Sequence, residues 1–339
     1  MEKSLCQTSL KTIFPSLWER NELLYEIRRS SSLSSVFESW TDEQQTEFLD
    51  FCTGVRGIKL LYDSFFKEIM NPESTPERLE DFLSLVLDTR VKILTVLPND
   101  STRIADESSL LITDIVVELA DSSIANLEIQ KIGYKFPGSR SACYSSDLLL
   151  RQYKRVRSQK KKQFSYKDIR SVYTIILFEH SPAEFHHFPS VYLHRFQHQS
   201  DTGLEIDLLQ KYIFIPLDIF KKIQHNKPIR GKLEAWLTFL SSDDPAMILQ
   251  LIQDYPEFNP MYEQAYAMCR NIGGVMGLFS EELRELDRNT VQLMIDEMQE
   301  TIDRQKKELE QLSKADSERQ NQLDAALIKI AELEAQLKK

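Results

Sequence analysis

The spacing of apolar residues changes along the chain, and each change predicts a different element. Residues 1 to about 50 read as helical, with a Ser-rich break at "RRSSSLSSVFESW". "GIKLLYDSFFKEIMNP" carries apolar residues at helical spacing and stops at Asn71-Pro72. "TPERLEDFLSLVL" predicts a further helix, with Thr75 as its cap, Pro76 in the first turn and a face of Leu79, Phe82, Leu83 and Val86.

The period then drops to that of strands. "VKILTVL", "SLLITDIVVEL" and "IANLEIQKI" are predicted strands, and the short polar "ADSS" between the last two predicts a β-hairpin. A helix capped by Ser139 runs through "DLLLRQYKRV". "RSVYTIILFEH" is β-branched and aromatic enough for a central strand, with "SVYLHRFQHQ" and "KYIFIPL" as further strands. From about residue 217 the pattern is helical again, and "SSDDPAMILQLIQDY" has acids and a Pro at its start. Helices flanking a mixed sheet define an α/β class.

In the tail, Val291, Met298, Gln305, Leu312, Arg319, Ala326 and Leu333 recur every seven residues. Ile295, Ile302, Leu309, Asp316, Leu323, Ile330 and Leu337 form the second seam position. This heptad register, polar in its middle and free of Gly and Pro, predicts a coiled coil and a homo-oligomer through residues 291–337. The expected segments are helical at 1–50, an α/β core at 51–240, helical at 241–288 and coiled coil at 289–339.

Composition narrows the class. The chain has 339 residues, 42% hydrophobic and 28% charged, and no apolar run reaches the ~20 residues that a membrane span needs. Cys6, Cys52, Cys143 and Cys269 are widely spaced, which argues against a disulfide framework or a zinc knuckle. With no signal-peptide core at the N-terminus, the expectation is a cytoplasmic protein. Net charge is −10, mildly against nucleic acid, yet "RQYKRVRSQKKKQ" from Arg151 packs seven cations into twelve residues around Tyr153. Such a stripe lines a phosphate-binding surface or forms a solvated helix end.

Candidate chemistry centres on two acids set in apolar strands, Asp114 and Glu128. Burying ionised carboxylates is costly unless something pairs with or coordinates them. A hairpin turn at "ADSS" places both on paired strands, and a shared face would let them converge. Two close acids repel unless a cation lies between them, and Mg²⁺ (or Mn²⁺), which prefers oxygen ligands, suits that role. Such an ion can activate water and polarise a phosphodiester, with the Ile129 carbonyl as a further ligand and Gln130 orienting water or meeting the phosphate. The competing reading is a pair of acids facing solvent or Arg and Lys.

Further features leave the picture unchanged. His180, His186, His187, His194 and His198 fall within twenty residues, but no Cys or acid completes an established zinc motif. "NIGGVMG" reads as a helix interruption rather than a phosphate cradle, and no GxSxG is present.

"ITDIVVEL", "NLEIQK" and "GSRSACYSSDLLLRQY" together resemble the PD-(D/E)XK nuclease family transposases, also called recombination-promoting nucleases. "GIKLLYDSFFKEIMNP", "SVYTIILFEHSPAEFH", "KLEAWLTFLSSDDP" and "ELDRNTVQLMIDEM" extend the likeness over roughly residues 50 to 300. The resemblance implies a restriction-endonuclease-like mixed sheet flanked by helices and Mg²⁺-dependent cleavage of DNA. It makes Asp114 and Glu128 the metal-binding acids and puts Gln130 where the wider superfamily usually has Lys. Lys131 is a substitute only if a bulge re-aims it from the opposite strand face. Asp63, with Glu80 as a rival, would complete the metal shell. Arg140 and Tyr144 would approach substrate phosphates, joined by Arg151, Lys154 and Arg155 of the basic stripe. The alternative function is an inactive nuclease fold that binds DNA or serves as a scaffold, oligomerising through its coil.

Overall fold

A computed structural model describes residues 10–97, 115–131 and 137–337. The N-terminal part is a series of short helices, α1 (Leu10–Ile13), α2 (Arg20–Arg29), α3 (Ser31–Glu38), α4 (Asp42–Thr53), α5 (Asp63–Ile69) and α6 (Pro76–Leu87). The helix breaks at Ser30 in the serine run, as expected, and the rest of that run starts a new helix. Ser30 stands at the N-cap of α3, its hydroxyl accepting the Leu33 amide, as short polar side chains do where amides lack a helical partner. At α4, Thr41 and Gln44 form a reciprocal capping box. Thr75 occupies the cap position of α6, but its hydroxyl turns back to the Asn71 carbonyl and leaves the helix start to Pro76.

Six strands form one sheet: β1 (Ile93–Val96), β2 (Ile115–Leu119), β3 (Ile124–Gln130), β4 (Val172–Phe178), β5 (His194–Phe196) and β6 (Gln210–Pro216), in spatial order β1-β2-β3-β4-β6-β5. β1, β2 and β3 form an antiparallel meander, with the expected turn at "ADSS". β3, β4 and β6 are parallel, and β5 pairs antiparallel at the edge. The crossover from β3 to β4 is helix α7 (Pro137–Lys160), which starts two residues before Ser139, so this serine lies inside the helix rather than at its cap. Helices α8 (Leu217–Gln224), α9 (Lys232–Ser241), α10 (Pro245–Asp254), α11 (Asn259–Met268) and α12 (Ile272–Leu337) follow. The glycines of "NIGGVMG" fall within the first turns of α12, and the interruption precedes them, between Met268 and Ile272.

Side chains alternate across a strand, and the two faces of this sheet meet different surroundings. Ala125, Leu127 and Ile129 of β3, Ile175 and Leu177 of β4 and Ile213 and Ile215 of β6 pack into a large apolar core. That core also takes in Phe14, Phe48 and Phe82 from the early helices and Trp236, Tyr262 and Phe279 from the late ones. The opposite face carries two small apolar clusters. One gathers Val116, Ile124 and Val172 beneath Leu148 of α7. The other joins Ile176, Phe178 and Phe214 to Phe185 and Ile219.

The chain divides into two compact units, residues 1–287 and 288–339. The second is helical throughout its described length, and Val291, Met298, Leu309 and Leu323 on its seam are exposed. Among the described residues no helix is long and apolar enough to cross a membrane.

Candidate active site

Between the two small clusters the α7-facing side of the sheet turns polar. Asn126, Glu128 and Gln130 are alternate residues of β3, and Thr174 is the β4 partner of Asn126. All four are buried, as are Ser141, Tyr144 and Ser145, which share the sheet-facing side of α7. Both polar atoms of the Asn126 side chain, the Thr174 hydroxyl and the Gln130 Oε1 have no hydrogen-bond partner among the described residues. Each such group carries the desolvation cost that folding normally avoids. A polar row of this kind in the middle of a sheet has the marks of a site rather than of a core.

Glu128 is the charged member, 3% exposed. Gln130 Nε2 donates to its Oε1 at 3.4 Å, and the Arg140 guanidinium lies 3.8 Å from the same oxygen. Arg140 stacks on the Tyr144 ring at 5.4 Å while its side chain remains 40% exposed. The structure therefore brings together Glu128, Gln130, Arg140 and Tyr144, with Tyr144 as the buried platform on which the guanidinium rests. The β2–β3 register ends at Ile115 opposite Leu127. Asp114, the next residue back in sequence from Ile115, lies outside the described residues.

Lys131 is not part of this group. Its ammonium forms a buried ion pair with Glu282 of α12 and lies 5.9 Å from the Tyr62 ring. It follows the alternation of Leu127 and Ile129 rather than that of Glu128, and the β3–β4 register runs without a shift as far as Gln130. Asp63 belongs with Lys131: its backbone N–H donates to Glu282 at 3.2 Å, and its carboxylate pairs with Lys67 at 2.6 Å. Glu80 accepts the Ile93 amide at 2.9 Å and Lys92 at 3.1 Å, so it ties α6 to β1.

The basic stripe is less uniform than its sequence. Arg151 pairs with Asp147 at 2.8 Å and Arg155 with Glu118 at 2.9 Å, whereas Lys154 faces solvent. Glu282, Asp147 and Glu118 are the partners that sequence reasoning missed. Asp147 had a signal, standing four residues before Arg151 on one helix. Glu282 had none, being 151 residues from Lys131. The histidines disperse: His186 meets Asp218 at 3.1 Å, His194 packs between the Phe185 and Phe188 rings, and β5 ends two residues before His198.

The donors of the site suit a hard divalent cation in kind. They are a buried carboxylate and, on the same strand face, a buried amide oxygen without a partner. A family model described as "PD-(D/E)XK nuclease family transposase" matches residues 60–289. No curated protein and no solved structure gives a match.

Proposed function

Since the chain belongs to the PD-(D/E)XK nuclease family transposases, we propose that it is a Mg²⁺-dependent DNA endonuclease whose chemistry is centred on Glu128. The observation that carries this reading is the buried polar row Asn126–Glu128–Gln130, with Arg140 over it and half open to solvent. Asp114, Glu128 and the Ile129 carbonyl are the proposed metal ligands. A divalent ion held by them supplies Lewis acidity to a phosphodiester and acidifies coordinated water.

The chain's own groups divide the remaining work. Arg140 compensates the Glu128 charge, and its planar fork can meet a substrate phosphate oxygen, because the guanidinium is exposed on its other side. The Gln130 amide oxygen accepts a hydrogen bond from the attacking water and so holds its lone pair toward phosphorus. Lys131 has no part in this scheme, being committed to Glu282. Lys154 offers phosphate contacts along α7, and the 291–337 seam joins two copies, supplying one site for each strand.

Supercoiled plasmid in Mg²⁺ should be nicked or cut by the purified chain. Asp114→Ala and Glu128→Ala should each lower the rate at least about 100-fold, while Gln130→Ala and Arg140→Ala give intermediate losses. Undiminished cutting by the two acid variants would remove the assignment. The second reading, an inactive DNA-binding or scaffold protein, draws on the engagement of Lys131 with Glu282, which keeps the lysine that follows the acid motif away from Glu128. Calorimetry separates the two, since only the enzyme needs Mn²⁺ binding that disappears in Asp114→Ala.

A further inference from the structure

Helix α7 ends at Lys160, and the chain passes through two short 3₁₀ turns, Lys161–Gln163 and Tyr166–Asp168, before entering β4. Three aromatic rings meet there. Phe164 stands edge-on to Tyr153 at 5.5 Å and to Tyr166 at 5.4 Å. Tyr153 and Tyr166 lie nearly parallel, their planes 10° apart and their centroids 6.2 Å apart. Tyr166 is nevertheless 77% exposed, an uncommon position for a large ring already assembled into a stack.

The loop that presents it is fixed at several points. Ser165 and Asp168 form a capping box, with the Asp168 carboxylate accepting the Ser165 amide at 2.8 Å. Lys160 pairs with Asp168, Gln152 accepts the Arg170 amide at 2.8 Å, and Ile169 is buried. The ring is thus held open to solvent by a preorganised turn.

Its surroundings carry one sign of charge. Between Arg151 and Arg170 the sequence holds nine cations and one acid, in a chain whose net charge is −10. The acid, Asp168, is paired with Lys160. Lys154, Arg157, Lys161, Lys162, Lys167 and Arg170 are exposed, and the Arg157 guanidinium lies 5.5 Å from the Tyr153 ring centroid. A surface of this charge suits a polyanion. The rings decide which kind, because a duplex offers phosphates and base edges but encloses its base faces, whereas an unpaired strand offers both phosphates and base faces.

We infer that this ridge binds single-stranded DNA, with a base stacking on Tyr166 and the flanking phosphates held by the exposed lysines and arginines. The inference takes the polymer from the endonuclease reading, and assigns it an unpaired segment beside the cut. Neither Asp114 nor Glu128 takes part, so binding and cutting can be measured apart.

The test is fluorescence anisotropy on the full chain in EDTA, using a labelled oligothymidine of about 20 nucleotides and a duplex of the same length. Base–aromatic stacking is worth ~1–3 kcal/mol, so Tyr166→Ala should weaken the single strand roughly fivefold or more. Duplex affinity should change less than about twofold, and Tyr166→Phe should bind as the unaltered chain does. The double variant Lys162→Gln/Lys167→Gln should weaken both ligands and reduce the salt slope on the single strand by about 1.4. Equal binding of the oligothymidine by Tyr166→Ala, equal losses on both DNAs, or Tyr166-dependent capture of anionic lipid vesicles in place of DNA would each overturn the proposal. A chain that fails to cut plasmid but keeps Tyr166-dependent binding refutes the nuclease reading and leaves this one standing.

Discussion

At the scale of single residues, the buried Lys131–Glu282 pair is where the molecule is most sensitive. Burial pushes the Glu282 carboxyl above its usual range, and Lys131 and the Asp63 amide pull only part of the way back. A folded-state pKa raised above the unfolded one means that the native protein binds the extra proton. This contribution to stability is present below the ordinary carboxylate range and is lost as pH rises through the elevated value. Urea midpoints taken across that range should show the decline, and a Lys131→Met/Glu282→Leu double variant should not. Lys131→Met alone should cost about 3–5 kcal/mol by leaving a buried carboxylate unpaired, with the double variant recovering much of it. Sequence made Lys131 a catalytic candidate because it adjoins the acid motif, and it also gave the reason for doubt, since alternation aims it away from Glu128. It could not supply the partner, which comes from a helix far along the chain. The Arg140–Tyr144 stack, by contrast, was legible from a four-residue spacing, although burial makes the tyrosine a support for the arginine.

Among the elements, strand β5 and the end of α4 invite direct tests. β5 is three residues long and lies at the sheet edge, where a short strand limits pairing with another chain. Desolvation lowers the His194 pKa, opposed by a hydrogen bond to the Val191 backbone. The unfolded chain therefore binds the proton more readily, and stability falls as pH drops below the ordinary imidazole value of 6.5. Replacing His194 with Phe should flatten that slope in thermal melts between neutral and mildly acidic pH. Helix α4 ends on Gly54, whose φ of 74° is left-handed and whose missing Cβ would come within 2.6 Å of the Leu17 side chain. Gly54→Ala combines backbone strain with overpacking and should cost about 2–4 kcal/mol in chemical denaturation. The strand positions and the hairpin rested on β-branched runs and a polar turn, and those signals survive folding because they are local; the order β1-β2-β3-β4-β6-β5 depends on pairings between distant segments. Helix starts were less legible: Ser139 and the glycines of α12 sit inside helices, where packing outweighs the local preference.

For the whole molecule, the coiled-coil expectation concerns residues 289–339, helical where described and with Val291, Met298, Leu309 and Leu323 of the heptad seam exposed. If the heptad seam joins two copies as proposed, the chain without residues 290–339 should sediment as a monomer. The truncation should leave nicking intact and reduce linearisation of plasmid, because two strands then wait for two separate encounters. The match of the family description to residues 60–289 covers the sheet and the helices on both sides of it, yet the core reaches further toward the N-terminus. Phe279 shows why that extension matters. Its ring lies within 6.0 Å of Trp40, Phe48, Phe51 and Tyr62, all made more than two hundred residues earlier. A ribosome building this chain therefore releases the first four rings long before the fifth that closes over them. Until the first turns of α12 follow, the aromatic face of the early helices waits uncovered, a stretch of synthesis in which it is open to the wrong partners.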